Sequence, residues 1–215
     1  MENIAHVIAT LTKNYQIENW WPHETNFEII IGAILVQRTK WANVEKALSN
    51  LKNSSLTDPA SINEAPIDSI EKDIRATGFF RLKSKRLKDL SHIIMESFDG
   101  DEKAFLEQGM DEAKEMLLSI KGIGLETAET ILLYAGNYPL FISDTYAKRI
   151  FSRIGIFNGL RDKDVQKHFI GTYGQNPMPY KDLHSAIVIH CQNVCKKKPE
   201  CSKCPIEKYC KKCNL

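Results

Sequence analysis

Four cysteines spaced Cys195-x5-Cys201-x2-Cys204-x5-Cys210 constrain this chain more than any other feature. Cys191 and Cys213 flank them, and from residue 191 to 215 seven lysines stand against two glutamates. Apolar periodicity stops after residue 194. A segment so short and polar cannot build an apolar core, whereas four thiolates around a metal centre would order it. Zinc takes four tetrahedral thiolates, often as CxxC pairs, and Cys201/Cys204 with Cys210/Cys213 give such pairs. A [4Fe–4S] cluster takes one cysteine per iron corner and tolerates looser spacing. Spacing alone leaves both metals open and does not select which four of the six cysteines bind.

The rest of the chain reads as helix. Phe27, Ile30, Ile31, Ile34 and Leu35 recur at helical spacing, as do Val44, Ala47, Leu48 and Leu51. Leu82 to Ile94 suggests another helix, ended near Gly100. Met110 to Ile120, Leu125 to Ala135, Thr145 to Ile154 and Leu183 to Val194 follow. Tyr138 to Ile142 has a β-like composition but contains Pro139, so it is expected to be an extended loop. With 29 Lys+Arg against 27 Asp+Glu, the net charge of +2 excludes a histone-like binder; affinity for a polyanion must depend on where the charges lie. No run approaches the ~18–20 apolar residues of a membrane span, and residues 1–4 lack a signal-peptide pattern. The expected setting is a reducing cytoplasm, where clustered cysteines serve as metal ligands.

The segment from Leu117 to Ala128 is the second informative feature. One amphipathic helix ends, Lys121-Gly122-Ile123-Gly124 follows, and a second helix starts at once. Glycine at alternate positions permits backbone conformations that a Cβ forbids. It also leaves backbone N–H groups at a helix N-terminus, where a phosphate oxygen is favoured. An ordinary helix–turn–helix is the plainer reading, but with the apolar helix before it and the Thr-Ala-rich helix after it, the pattern points to a nucleic-acid backbone. Twenty residues after Gly124, Asp144 stands before the helix that opens at Thr145. It is placed as an N-cap, and a carboxylate at such a junction can also be desolvated and aimed at a substrate.

In this order, the hairpin, Asp144 and the four-cysteine loop resemble the endonuclease III (helix-hairpin-helix-GPD) superfamily of DNA glycosylases, from about Phe27 to Cys210. The resemblance implies an all-α fold of two helical lobes with a central cleft. One lobe would comprise residues 1–25 plus 140–215, with the iron–sulfur loop at 191–213. The other would span residues 26–139, with the helix-hairpin-helix at 110–136. It assigns a [4Fe–4S] cluster, rather than zinc, to Cys195, Cys201, Cys204 and Cys210, although the first gap is five residues where endonuclease III has six. Cys191, where the family usually has glycine, and Cys213 are then spare. Asp144 becomes the catalytic residue. Gly122 and Gly124, beside Lys121, become the DNA phosphate grip, with a monovalent cation at the hairpin.

The lysine that gives endonuclease III its lyase step lies two residues after the second glycine. Glu126 stands there in this chain, and a carboxylate cannot form an imine. The expectation is a base-excision repair glycosylase without lyase activity. Trp20-Trp21-Pro22 and the segment Gly32 to Trp41 resemble the 3-methyladenine DNA glycosylase III branch, which implies a base pocket of Trp20, Trp21, Pro22 and Trp41 for an alkylated purine. Such bases are cationic, and Trp faces attract them. By the same resemblance, Gln37 plugs the space left by the everted nucleotide and Phe79 wedges between bases, while Phe80 is expected in the core. Arg81, Lys83, Lys85, Arg86 and Lys88 form a basic set for duplex DNA, and the tail lysines form another. The partner is double-stranded DNA carrying a damaged base, bound by a monomer in the cytoplasm of a prokaryote, near the nucleoid. The alternatives are a bifunctional glycosylase/AP lyase for oxidised pyrimidines and a non-catalytic DNA-binding module. The purified protein should be yellow-brown and absorb near ~410 nm; a folded, colourless, iron-free preparation would remove the cluster.

Overall fold

The computed structural model describes residues 2–18, 20–156 and 162–211, and Cys213 lies outside them. Its helices are α1 (Glu2–Asn14), α2 (Asn26–Leu35), α3 (Trp41–Asn53), α4 (Pro59–Glu64), α5 (Ile67–Asp73), α6 (Phe80–Phe98), α7 (Glu102–Glu107), α8 (Met110–Ser119), α9 (Leu125–Tyr134), α10 (Thr145–Ile154), α11 (Asp162–Tyr173) and α12 (Met178–Asn193). Short 3₁₀ turns lie at Arg75–Thr77, Cys201–Lys203 and Glu207–Tyr209. Among the described residues there is no strand, and the fold is all-α. The chain divides into two compact units, residues 23–137 and residues 1–22 with 138–215.

The 23–137 unit is built around α2. From Phe27 to Leu35 every residue of this helix is buried. A helix apolar on all sides must be surrounded, and α3, α6, α7 and α9 surround it. Its start is capped by Thr25, whose side chain accepts from the Glu28 N–H. Glu28, buried among apolar neighbours, is paired with Lys52 Nζ at 2.8 Å, and its other oxygen accepts from the Glu24 N–H. That pairing answers the cost of burying a carboxylate. The second helix of the hairpin, α9, is buried from Ala128 to Tyr134, and its Glu129 is paired with Lys114 of α8 at 2.9 Å. The hairpin is thereby fixed to the core through its second helix.

In the other unit α12 packs against both α1 and α10. Val7 and Leu11 of α1 are fully buried. Phe141 stacks on Phe169 with ring centroids 4.1 Å apart, and Phe151 meets Phe141 edge-on at 5.7 Å. The run from Tyr138 to Ile142 is extended, as its proline suggests, and finds its partner in a side chain. Phe141 N–H donates to Gln166 Oε1 at 2.8 Å, and Gln166 Nε2 donates back to Phe141 O. Helix α12 begins five residues earlier than its apolar pattern indicates, because Pro177 opens it and Met178 to Asp182 carry little of that pattern. No described helix is long and apolar enough to cross a membrane. Ile34 is fully buried in the middle of α2, so Ile34→Ala should lower the unfolding free energy by ~2–5 kcal/mol, measured by urea denaturation.

Candidate active site and nucleic-acid interface

The hairpin turn is held from outside by a side chain. Gly122 has φ +98°, and a Cβ there would lie 2.2 Å from the Arg86 guanidinium. Arg86 Nε donates to Lys121 O, and its Nη1 donates to Gln37 Oε1. Gln37 Nε2 in turn donates to Gly122 O at 3.3 Å and to Thr127 Oγ1 at 2.8 Å. Gln37, expected to enter DNA, is thus tied to the hairpin in the free protein. Ile123 turns inward and is buried, while Gly124 is exposed and no atom lies within 4 Å of where its Cβ would stand. Gly124 is the N-cap of α9, and no side chain caps that helix start. The first-turn N–H groups there suit an anion. Lys121 and Glu126 are both exposed.

Phe79 is the N-cap of α6, in the left-handed region with φ +48°, and is 56% exposed. A bulky residue in that region is a genuine backbone outlier. Arg38, also left-handed at φ +55°, places its guanidinium 6.0 Å from the centre of the Phe79 ring. Phe80 departs from the expectation of a core residue. It is half-buried, and the guanidiniums of Arg75 and Arg81 lie 5.4 and 5.8 Å from its ring. At the first helical position an aromatic facing the surface is stabilised by cation–π contact instead of by burial. Trp41 opens α3 and is half-buried.

The basic set also divides. Lys83 is fully buried, with its ammonium on two backbone carbonyls, and Lys88 donates to Asn63 O and Ala65 O. Neither is a solvent-facing charge available to DNA, since unpaired backbone carbonyls had the stronger claim on them. Burial, and secondarily Arg86, pushes the Lys83 pKa down to about 8. Arg81 and Lys85 remain on the surface.

The aspartate sits in the other unit. Asp144 caps α10, its Oδ1 accepting from the Ala147 N–H at 2.7 Å, and it is 4% exposed. Burial pushes its pKa above the ordinary aspartate value; the N–H groups of Ala147 and Tyr146, then Lys148 and Arg149, oppose that rise. His184 of α12 brings Nε2 to 3.8 Å from Asp144 Oδ2. Burial pushes His184 down to about 4, so it is neutral at physiological pH. Trp20 meets the His184 ring edge-on at 5.7 Å and Trp21 at 5.8 Å; Trp21 is buried and Pro22 exposed. In the sequence nothing distinguishes His184 from an ordinary helical histidine. Forty residues separate it from Asp144, and no local spacing signals their meeting.

The five described cysteines are free thiols. Cys191 is buried in α12, with Sγ 3.6 Å from Tyr146 O. The four candidate ligands are half-buried, and Arg153 and His190 contact three of them. Arg153, in the last turn of α10, donates to Cys195 Sγ at 3.0 Å and to Lys196 O and Lys197 O, while its own carbonyl receives the Lys211 N–H and the Cys210 thiol. His190 Nε2 lies 3.8 Å from Cys204 Sγ, and its Nδ1 lies 2.6 Å from the Tyr15 hydroxyl. Hydrogen bonding from Cys191 first, and then from His190 and Arg153, holds Cys195 down at about 4 against burial. Burial pushes Cys204 up to about 11, and charge on Cys195, Cys210 and Cys201 adds to the rise. A cationic centre would relieve the rise at Cys204, since it favours the thiolate. Among the described residues no three His, Cys, Asp or Glu side chains converge on one ion. Four half-buried cysteines in one short tail are the type of donor set that an iron–sulfur cluster takes.

With this geometry in place, comparison with known proteins assigns the class. Residues 31–173 match the HhH-GPD superfamily of base excision DNA repair proteins, and the chain belongs to that family. It is accordingly a DNA glycosylase of the base excision type. A Methanocaldococcus jannaschii protein assigned as a DNA repair glycosylase is 39% identical over 211 residues, 97% of this chain and 96% of its own. Endonuclease III of Sulfolobus acidocaldarius is 29% identical over 188 residues, 86% of this chain and 81% of its own. The crystal structure of Helicobacter pylori 3-methyladenine DNA glycosylase bound to 1,N6-ethenoadenine superposes with a TM-score of 0.71 at 30% identity, over 88% of this chain and 95% of that one. A non-covalent endonuclease III–DNA complex shares the fold, with a TM-score of 0.78 at 21% identity, over 98% and 94% of the two chains.

The raised pKa of Asp144 has a consequence for stability. As pH rises from the ordinary aspartate value of 3.8 to the raised native value, the unfolded chain ionises first, so this residue makes the fold less stable across that window. Asparagine caps a helix as well as aspartate does and carries no charge. Asp144→Asn should therefore melt at or above the wild-type temperature at pH 7, with any gain vanishing below pH 3.8; a lower melting temperature at neutral pH would contradict this.

Proposed function

We propose that this protein hydrolyses the N-glycosidic bond of an alkylated purine, such as 3-methyladenine, in double-stranded DNA and leaves the abasic site uncut. One observation carries the reading: Trp20, a neutral buried His184 and the buried Asp144 lie in one continuous group within a single unit. A Trp ring beside an ionisable carboxylate suits a cationic, electron-poor base, which the ring's face attracts and whose glycosidic bond is already weak. Glu126 supports the absence of a lyase step, since no imine can form at that position. The 30% identity to a 3-methyladenine glycosylase holding an ethenoadenine supports the substrate class.

In this reading the N–H groups at Gly122 and Gly124, with Lys121, hold a phosphate beside the lesion. Gln37 exchanges its hairpin bonds for the space left by the everted nucleotide, and Phe79 wedges the stack. Trp20, Trp21, Pro22 and Trp41 receive the base. Ionised Asp144 stabilises positive charge developing at C1′ and accepts a proton from the attacking water. The water oxygen bonds to C1′ while the base leaves with the glycosidic electron pair. Cys195, Cys201, Cys204 and Cys210 would hold a [4Fe–4S] cluster, which when bound supplies the order that apolar packing does not give the tail.

The test is incubation with duplexes carrying 3-methyladenine or an oxidised pyrimidine, scored for base release and separately for strand cleavage. Release of the alkylated base without a nick is expected, with no adduct trapped by borohydride. Asp144→Asn should lose about 10²-fold or more in turnover while retaining DNA affinity. A nick with a trapped adduct would establish the lyase for oxidised pyrimidines, and binding with no release would establish a non-catalytic module.

A further inference from the structure

Two loops expected to enter DNA are joined beneath the surface by one side chain. Gln37 follows the end of α2 at Leu35, and Phe79 follows Thr77 and Gly78 ahead of α6. Lys83, in the first turns of α6, donates from Nζ to Leu35 O and to Thr77 O, each at 2.8 Å. Leu35 O is among the last carbonyls of α2, which have no partner within the helix and lie at the negative end of its dipole. Lys83 is 0% exposed, and such a residue is rarely buried this deeply unless its charge is satisfied. Thr77 is buried too, its hydroxyl donating to Ile74 O at 2.8 Å, so the second loop is anchored where the ammonium grips it.

What the ammonium supports is backbone in an unusual state. Arg38 and Phe79, one in each loop, are both left-handed without being glycine, and the guanidinium of one lies over the ring of the other. Strained residues of this kind persist only where the surroundings over-determine them. Lys83 bonds the backbone ahead of both and fixes the distance between the loops that carry Gln37 and Phe79.

We propose that Lys83 is the positioning residue of the DNA-insertion pair: its buried ammonium sets the spacing of the Gln37 and Phe79 loops so that plug and wedge enter the duplex together. Lys83 itself touches neither base nor sugar. The proposal rests on the reading that Gln37 and Phe79 insert, and it is independent of which base is excised.

The experiment uses full-length protein with a duplex carrying a tetrahydrofuran abasic analogue beside 2-aminopurine, whose fluorescence rises when it is unstacked. Wild type should unstack the probe. Lys83→Met, which keeps length and loses the donors, should bind with unstacking slower by roughly ten- to a hundred-fold, as expected for groups displaced by up to about 1 Å. Lys83→Gln, which keeps two N–H donors on a shorter arm, serves if the methionine variant does not fold and should be intermediate. Excision from a single strand, where nothing must be wedged apart, should be unchanged in either folded variant. Folded variants that unstack at the wild-type rate overturn the proposal, as does an equal loss on single and double strands or loss of fold in both variants. If wild type leaves the probe stacked, the insertion reading of Gln37 and Phe79 fails first and the role of Lys83 falls with it.

Discussion

Arg86 occupies the space that a side chain at position 122 would fill, and three distant segments of the chain meet there. Its guanidinium bonds the hairpin backbone at Lys121 and the amide of Gln37 after α2, from a helix that begins at Phe80. One helical turn earlier, Lys83 bonds the carbonyls of Leu35 and Thr77. Near its start α6 thus commits two cations, Lys83 and Arg86, to neighbouring loops rather than to solvent. In the proposed reading this serves a grip on DNA by main-chain N–H groups, because a backbone grip is only as well aimed as the loop that carries it. The glycine is required for the same reason: its left-handed φ makes the turn, and its missing Cβ admits the guanidinium that holds the turn in place.

The sequence made the periodic and punctuated parts of the molecule legible. The Gly-x-Gly turn between two helices, the Asp144 cap and the apolar run of α2 each rest on local chemistry, and each is found at its expected residues. Charged side chains were legible only as types. Lys83 and Lys85 look alike in the chain, yet one is buried on two carbonyls and the other is exposed, and the difference lies in carbonyls brought from residues 35 and 77. Phe80 looked like core because aromatics usually are, and two flanking arginines gave it a surface solution. His184 was invisible for the converse reason. Its role follows from the packing of α12 on α10, a tertiary fact with no sequence period.

That same packing connects the aspartate to the cysteine tail. Helix α10 carries Asp144 at its N-terminal end and Arg153 in its last turn. Helix α12 carries His184 within its span and His190 in its last turn. Arg153 holds Cys195 and the backbone around it, and His190 faces Cys204 while receiving Tyr15 on its other nitrogen. The pair that brings Asp144 and His184 together at one level thus grips the cysteine loop at another. A loop of lysines with no apolar core has little intrinsic order, so gathering its four sulfurs around a metal centre would fix the C-terminal ends of both helices at once. The cluster proposed for this loop would hold α10 and α12 in register, and with them a buried carboxylate facing a neutral imidazole instead of solvent; that desolvation is what raises the Asp144 pKa.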